Sequence, residues 1–161
     1  SGPCEADFKK LKLAKWKPVE TQKEMLKEVL ALCKTFKPHV VIFSAAVLDF
    51  EPAVRAKGKT SSKAAWTISL KPTSKIIEEV RKKFPDVQRV GFKLEAGKMN
   101  PKKALKLAEA KVRDQELWAL CLNYRDDVGN GKHKALVYQP EGHKFANNKA
   151  DIAKAIIATL I

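Results

Sequence analysis

Three short strand-like segments, the largely apolar runs at residues 40–45 and 117–122 and the stretch at 89–94, constrain this chain more than any other feature, because each follows a segment with helical spacing. A continuous run with β-branched residues suits a strand covered on both faces, as in a parallel sheet. Thr21 followed by Glu24 is a capping-box pattern, and Met25, Val29, Leu32 and Phe36 then share one helical face, which predicts a helix over 21–36 that Pro38 ends. After Pro72, Thr73 or Ser74 can cap a second helix with Ile76, Ile77 and Val80 inward, closed by Phe84 and Pro85. Asn100 and Pro101 open a third, running to about Arg113, since Asn supplies a capping oxygen and Pro fits the first helical position.

The remaining segments carry other signals. Residues 47–63 read as a long charged loop with Pro52 and Gly58, and the alternation of Trp66, Ile68 and Leu70 predicts a half-exposed strand over 65–71. A Gly-rich turn at 127–131 leads into a strand at 135–138, and Gly142 turns it back at 144–146. Asn147 or Asn148 then caps a last helix with Ile152, Ala155, Ile156 and Leu160 on its buried side. Together these predict one α/β domain over 1–161: an open, Rossmann-like, mainly parallel sheet flanked by helices, with an antiparallel strand and hairpin region added.

Composition narrows the function classes. The apolar run 40–48 is about half of the roughly 20 residues a membrane span needs, so no membrane partner is expected. Three cysteines without CxxC or Cys/His spacing offer neither a disulfide framework nor a zinc site, and point to a reducing cytoplasm with no structural metal. The formal net charge of +14 favours polyanions, either nucleic acid or phosphorylated small molecules. Its lysines are dispersed rather than interleaved with aromatics, which disfavours nucleic acid.

Ligands of open parallel sheets bind beyond the carboxyl ends of the strands. The strand at 40–45 runs into Ala45, Ala46 and Asp49, the strand at 89–94 carries Gly91 and Phe92 and ends at Glu95, and the strand at 117–122 ends at Asn123. Lys57, Lys59 and Lys63 follow in the loop, and the amides around Ser74, Lys75 and Ile76 suit an anion. Each has a plainer reading: Ala45 and Ala46 as tight packing, Asp49 as a loop cap, the lysines as solvated charges, Asn123 as a turn former. His39, His133 and His143 are isolated and read as surface residues, and no Ser-His-Asp or Cys-His arrangement can be assembled.

The order of these features resembles a known family. Residues 19–26 are similar to V-E-T-x-x-E-M-L, residues 45–50 to A-A-V-x-D-Y/F and residues 91–95 to G-F-K-x-E, with Gly58-Lys59, Lys75-Ile76 after a proline, and a strand ending in Asn123 in the expected order. This is the pattern of phosphopantothenoylcysteine synthetase, the phosphopantothenate–cysteine ligase of coenzyme A biosynthesis. The resemblance implies a two-step ligation of 4′-phosphopantothenate and cysteine through an acyl nucleotide, with Mg2+ and CTP or ATP as substrate, no tightly bound cofactor, and a homodimer paired through an added antiparallel sheet. It places Ala45, Ala46 and Asp49 in the nucleotide pocket, Lys59 on phosphate, Ser74, Lys75, Ile76 and Ile77 at a nucleotide-contacting helix start, and Phe92 at the base or sugar. Asn123 falls on the substrate rim, and Lys111 where bacterial members carry a nucleotide-binding lysine.

Two departures accompany the resemblance. The companion of Lys111 one turn later aligns with Gln115, which leaves CTP and ATP both open. Ser1-Gly2-Pro3 resembles the end of the family's second strand, so the Gly-rich turn and catalytic asparagine are expected upstream or on a partner chain. Two other readings fit the same composition: a basic α/β module that binds nucleic acid, and a non-catalytic homologue acting as an interaction partner.

Overall fold

The structure, a computed structural model, describes residues 17–54, 58, 65–129 and 132–161. Its core is a five-stranded mixed sheet. In chain order the elements are α1 (Gln22–Phe36), β1 (Val40–Phe43), β2 (Phe50–Pro52), β3 (Leu70–Pro72), α2 (Ile76–Lys83), β4 (Gln88–Glu95), α3 (Pro101–Gln115), β5 (Ala119–Gly129), β6 (Lys132–Gln139), β7 (Gly142–Ala146) and α4 (Lys149–Ala158). The sheet order is β1-β4-β5-β6-β7, with β1, β4 and β5 parallel and β5, β6 and β7 antiparallel. The expected α/β class with its added antiparallel region is therefore observed.

Alternation along β5 divides the core into two layers. Ala119 and Cys121 pack with Ile152, Ala155 and Ile156 of α4, whereas Leu120, Leu122 and Tyr124 pack with Ala104, Ala108 and Val112 of α3. Both faces are covered, which is why the run reads as continuously apolar. On the α3 side, Gly91 leaves room for its neighbours: a Cβ there would lie 3.0 Å from a Leu117 methyl and 3.4 Å from a Leu120 methyl. Buried Arg89 donates to the backbone oxygen of Glu116 at 2.6 Å, fastening the left-handed C-cap of α3 to β4. Burial lowers the pKa of that guanidinium, with a smaller push from Arg81.

The helix starts follow their caps. Thr21 accepts from the Glu24 amide while the Glu24 carboxylate accepts from Thr21, Asn100 accepts from the Lys103 amide, and Asn148 accepts from the Asp151 amide. The Glu20 amide, which donates to the Glu24 carboxylate at 2.9 Å, and then the Thr21 amide hold that carboxyl below its usual pKa.

Four sequence expectations are corrected. The strand at 40–45 spans only Val40–Phe43 and is not buried on both faces; among the described residues its single neighbour is β4, so Val41 and Phe43 pack inward while Ile42 stays exposed. The strand expected over 65–71 is confined to Leu70–Pro72, where β2 supplies a partner from within the expected loop. Neither Thr73 nor Ser74 caps α2; Lys75 holds that position without a side-chain bond, because the Thr73 hydroxyl donates to the Leu48 oxygen instead. The strand expected over 117–122 starts at Ala119 and continues past Asn123 to Gly129, absorbing much of the expected turn.

Candidate functional site

Beyond the carboxyl ends of the parallel strands, on the face covered by α4, lies a cavity of about 870 Å³. The exit of β1 contributes Ala45 and Ala46, β4 contributes Phe92, and β5 contributes Asn123, so four of the sequence candidates share one space. Ile152 and Ile156 of α4 line the same cavity as Phe92. The combination of a small-residue edge, an aromatic ring and few polar groups is the usual make-up of a site for a ring-bearing small molecule.

Asn123 is held in one orientation. Its Oδ1 accepts from the buried Cys121 thiol at 3.6 Å and its Nδ2 donates to the Lys134 oxygen at 3.4 Å. Burial pushes the Cys121 thiol up to about 12, so it is a protonated donor at neutral pH. With Oδ1 engaged and one amide hydrogen used, Asn123 keeps one N–H for a ligand acceptor.

The other candidates are placed elsewhere. Ala46 also lines a second cavity of about 750 Å³, between the start of α1 and the β2–β3 sheet, together with Thr73. Asp49 is exposed, and its backbone oxygen accepts from the Thr73 amide at 2.9 Å, which ties the exit of β1 to the approach of α2. Ser74 lines a smaller groove beside Gln22, whose Nε2 donates to the Ser74 oxygen at 2.8 Å. Lys75 is the exposed N-cap of α2. Ile76 is buried and Ile77 packs against the α3 layer, so both serve the core on the face opposite the larger cavity. Lys111 lies half-buried on α3, on that same opposite face. Lys57, Lys59 and Lys63 lie outside the described residues, as do residues 1–3.

The structure adds residues that sequence reasoning passed over. Lys93, Arg125, His133 and Lys149 line the larger cavity, and among the described residues no carboxylate does. His133 is therefore not the isolated surface residue expected. Its amide donates to the Asn147 oxygen at 3.0 Å, and burial followed by the nearby Lys149 charge lowers its pKa, so the ring is neutral near pH 7. Among the described residues no group of three or more His, Cys, Asp and Glu side chains converges to hold a metal ion, and no helix is long and apolar enough to cross a membrane.

Known proteins resemble this chain to different extents. The chain is 30% identical over 142 residues to the coenzyme A biosynthesis bifunctional protein CoaBC of Methanocaldococcus jannaschii, covering 86% of this chain and 34% of that protein. It is 42% identical over 79 residues to the CoaBC protein of Thermococcus kodakarensis, covering 49% of this chain and 20% of the relative. The chain thus spans about a third or less of the length of these relatives. A crystal structure of the DNA/pantothenate metabolism flavoprotein from Streptococcus pneumoniae superposes with a TM-score of 0.75 at 21% identity, over 89% of this chain and 71% of that one, a likeness of fold. The family model of the DNA/pantothenate metabolism flavoprotein C-terminal domain matches residues 1–161 throughout. With the ordered motifs, that match makes the chain a member of this family, the one that contains the phosphopantothenoylcysteine synthetases.

Proposed function

We propose that this chain is an α/β domain of a phosphopantothenate–cysteine ligase, and that the cavity at the ends of β1, β4 and β5 receives the nucleoside of CTP or ATP. The observation that carries the reading is the convergence of Ala45, Ala46, Phe92 and Asn123 on one cavity in a chain whose full length matches the family. In the reaction, a carboxylate oxygen of 4′-phosphopantothenate attacks the α-phosphorus of the nucleotide and pyrophosphate leaves. The cysteine amine then attacks the acyl carbon, the nucleoside monophosphate leaves, and the amine loses a proton as the amide forms. Mg2+ would enter with the triphosphate as part of the substrate.

The chain's own residues supply binding and orientation. Phe92 offers a flat apolar surface to the base or sugar, Asn123 one N–H donor, and the alanines close approach to backbone. Asp49 and Lys59 stay in this reading as groups for the nucleoside and the phosphates, and Ser74, Lys75, Ile76, Ile77 and Lys111 as further nucleotide contacts, on the strength of the motif order. Such positioning lowers the barrier to a step that needs no enzyme nucleophile.

Phe92→Leu should weaken CTP or ATP binding by roughly 1–2 kcal/mol, the lower part of the range for base–aromatic stacking. Calorimetric titration of wild type and variant checks it, and an unchanged dissociation constant would remove Phe92 from the site. The ligase reading itself is tested by pyrophosphate release from the full protein. Release should require both 4′-phosphopantothenate and a nucleoside triphosphate, and release without the acid would overturn it.

A homodimer is part of the same proposal. Trp66 is 59% exposed, Phe50 56% and Leu70 58%, an apolar surface on and beside the β2–β3 sheet that a second copy would cover. Light scattering should give twice the chain mass, falling to one for Trp66→Lys with Leu70→Lys. A wild-type mass of one chain at all concentrations would refute the pairing.

A further inference from the structure

We infer that Arg125 and Lys149 form a clamp for a phosphate monoester at one lip of the larger cavity, with the rest of the ligand lying along the apolar floor. This inference rests on the ligand-site reading given above and adds to it residues that neither the strand-end rule nor the motif order assigns.

Pairing across the sheet brings the clamp together. The β5–β6 ladder is irregular between Asn123 and Val128, and Arg125 lies within that irregular stretch. Beyond it Val128 pairs with His133, and the His133 amide is bonded to the Asn147 oxygen, one residue before the cap of α4. Lys149 is the first residue of that helix. Thus one lip collects Arg125, His133 and Lys149 from β5, β6 and α4, while Ile42, Ile152 and Ile156 form the apolar part of the same cavity.

The charges at this lip are weakly compensated. Among the described residues the one carboxylate paired with Arg125 is its sequence neighbour Asp126, at 3.6 Å and with both side chains exposed, and none lines the cavity. At the start of α4 one amide is already used, that of Asp151, which donates to Asn148 Oδ1 at 2.9 Å. His133 is held neutral and can add a hydrogen bond without charge. A planar guanidinium and a mobile ammonium facing one apolar space suit a terminal phosphate carried by a less polar body. Either the nucleotide or the phosphorylated acid could bring that group.

The test compares two ligand pairs, cytidine with cytidine 5′-monophosphate and pantothenate with 4′-phosphopantothenate. Each is titrated calorimetrically into wild type, into Arg125→Ala with Lys149→Ala, and into Lys102→Ala with Lys103→Ala. The last variant removes the same net charge from α3 on the opposite face. In wild type and in the α3 variant, the phosphorylated member of at least one pair should bind about tenfold or more tightly than its unphosphorylated partner. In the clamp variant that advantage should fall to about twofold or less while the unphosphorylated affinity holds, and the affected pair identifies the source of the phosphate.

An advantage that persists in the clamp variant, or falls equally in the α3 variant, overturns the clamp and leaves the ligand site standing. Binding of none of the four compounds by wild type overturns both. Near-ultraviolet circular dichroism of each variant shows whether the fold is intact. If the double variant fails to fold, Arg125→Gln alone carries the test on the same criteria.

Discussion

Leu122→Ala is expected to lower the stability of the fold by about 3–5 kcal/mol, the upper range for deleting a fully buried leucine. Leu122 is 0% exposed in the central strand, in a layer formed with Ala104, Ala108 and Val112 of α3 and with Leu136 of β6. The small residues of α3 bring helix and sheet close together, so the leucine fills space that no neighbouring side chain is long enough to reclaim. The cost therefore includes both lost transfer energy and a residual cavity. For a chain of this size the loss corresponds to a fall in melting temperature of roughly 6–20 °C. Leu94→Ala, on the adjacent strand but 58% exposed, should cost about 0.5 kcal/mol or less. Urea denaturation of the two variants against wild type gives the comparison, and similar losses for both would show that the α3 layer is not the tightly packed side of the core.

The same contrast explains what the sequence makes visible. Features set by neighbours along the chain are legible: the Thr21–Glu24 capping box and the Asn100-Pro101 start are observed where their local chemistry puts them, and the 117–122 run forms strand from Ala119 onward. Features that need a distant partner are not. The alternation of Trp66, Ile68 and Leu70 satisfies the strand rule, yet only the last of these pairs with a described strand, because β2 is three residues long. The charges of Arg125, Asp126 and Asp127 hide the continuation of β5, since acidic residues before a glycine ordinarily signal a turn. Here Asp127 accepts from the Met99 amide at 2.7 Å, so the extension is fastened to the loop before α3.

The candidate site divides in the same way. Ala45, Ala46, Phe92 and Asn123 could be named because the strand-end rule depends only on knowing where parallel strands stop. Arg125, His133 and Lys149 could not, since their meeting depends on antiparallel register and on the tether from His133 to Asn147. Ser74, Ile76 and Ile77 illustrate the converse. Their motif is plain in sequence, but their structural roles are a bond to Gln22 for Ser74, burial for Ile76 and packing against the α3 layer for Ile77.

Cys121 links the core to the site and gives the second large effect, an alkaline loss of stability. Burial raises its thiol to about 12 from an ordinary value of 9.0, because a thiolate between β5 and α4 would be stripped of water. The native state therefore keeps the proton that the unfolded chain gives up. The sign follows from linkage: the folded pKa is the higher one, so this contribution is complete below about pH 9 and is lost as pH rises toward 12. In that window each pH unit removes roughly 1.4 kcal/mol, or about 2 kcal/mol by pH 10.5. Lysines also begin to titrate there, so the measurement is a difference. Wild type should lose stability more steeply than Cys121→Val between pH 9 and 10.5 in matched urea series. Parallel slopes would show that the thiol is not the group responsible. The valine variant also removes the donor that holds Asn123 Oδ1, so at pH 7 it should bind the ligand more weakly while remaining folded. Cys121→Ser, which restores a donor, should recover part of that affinity.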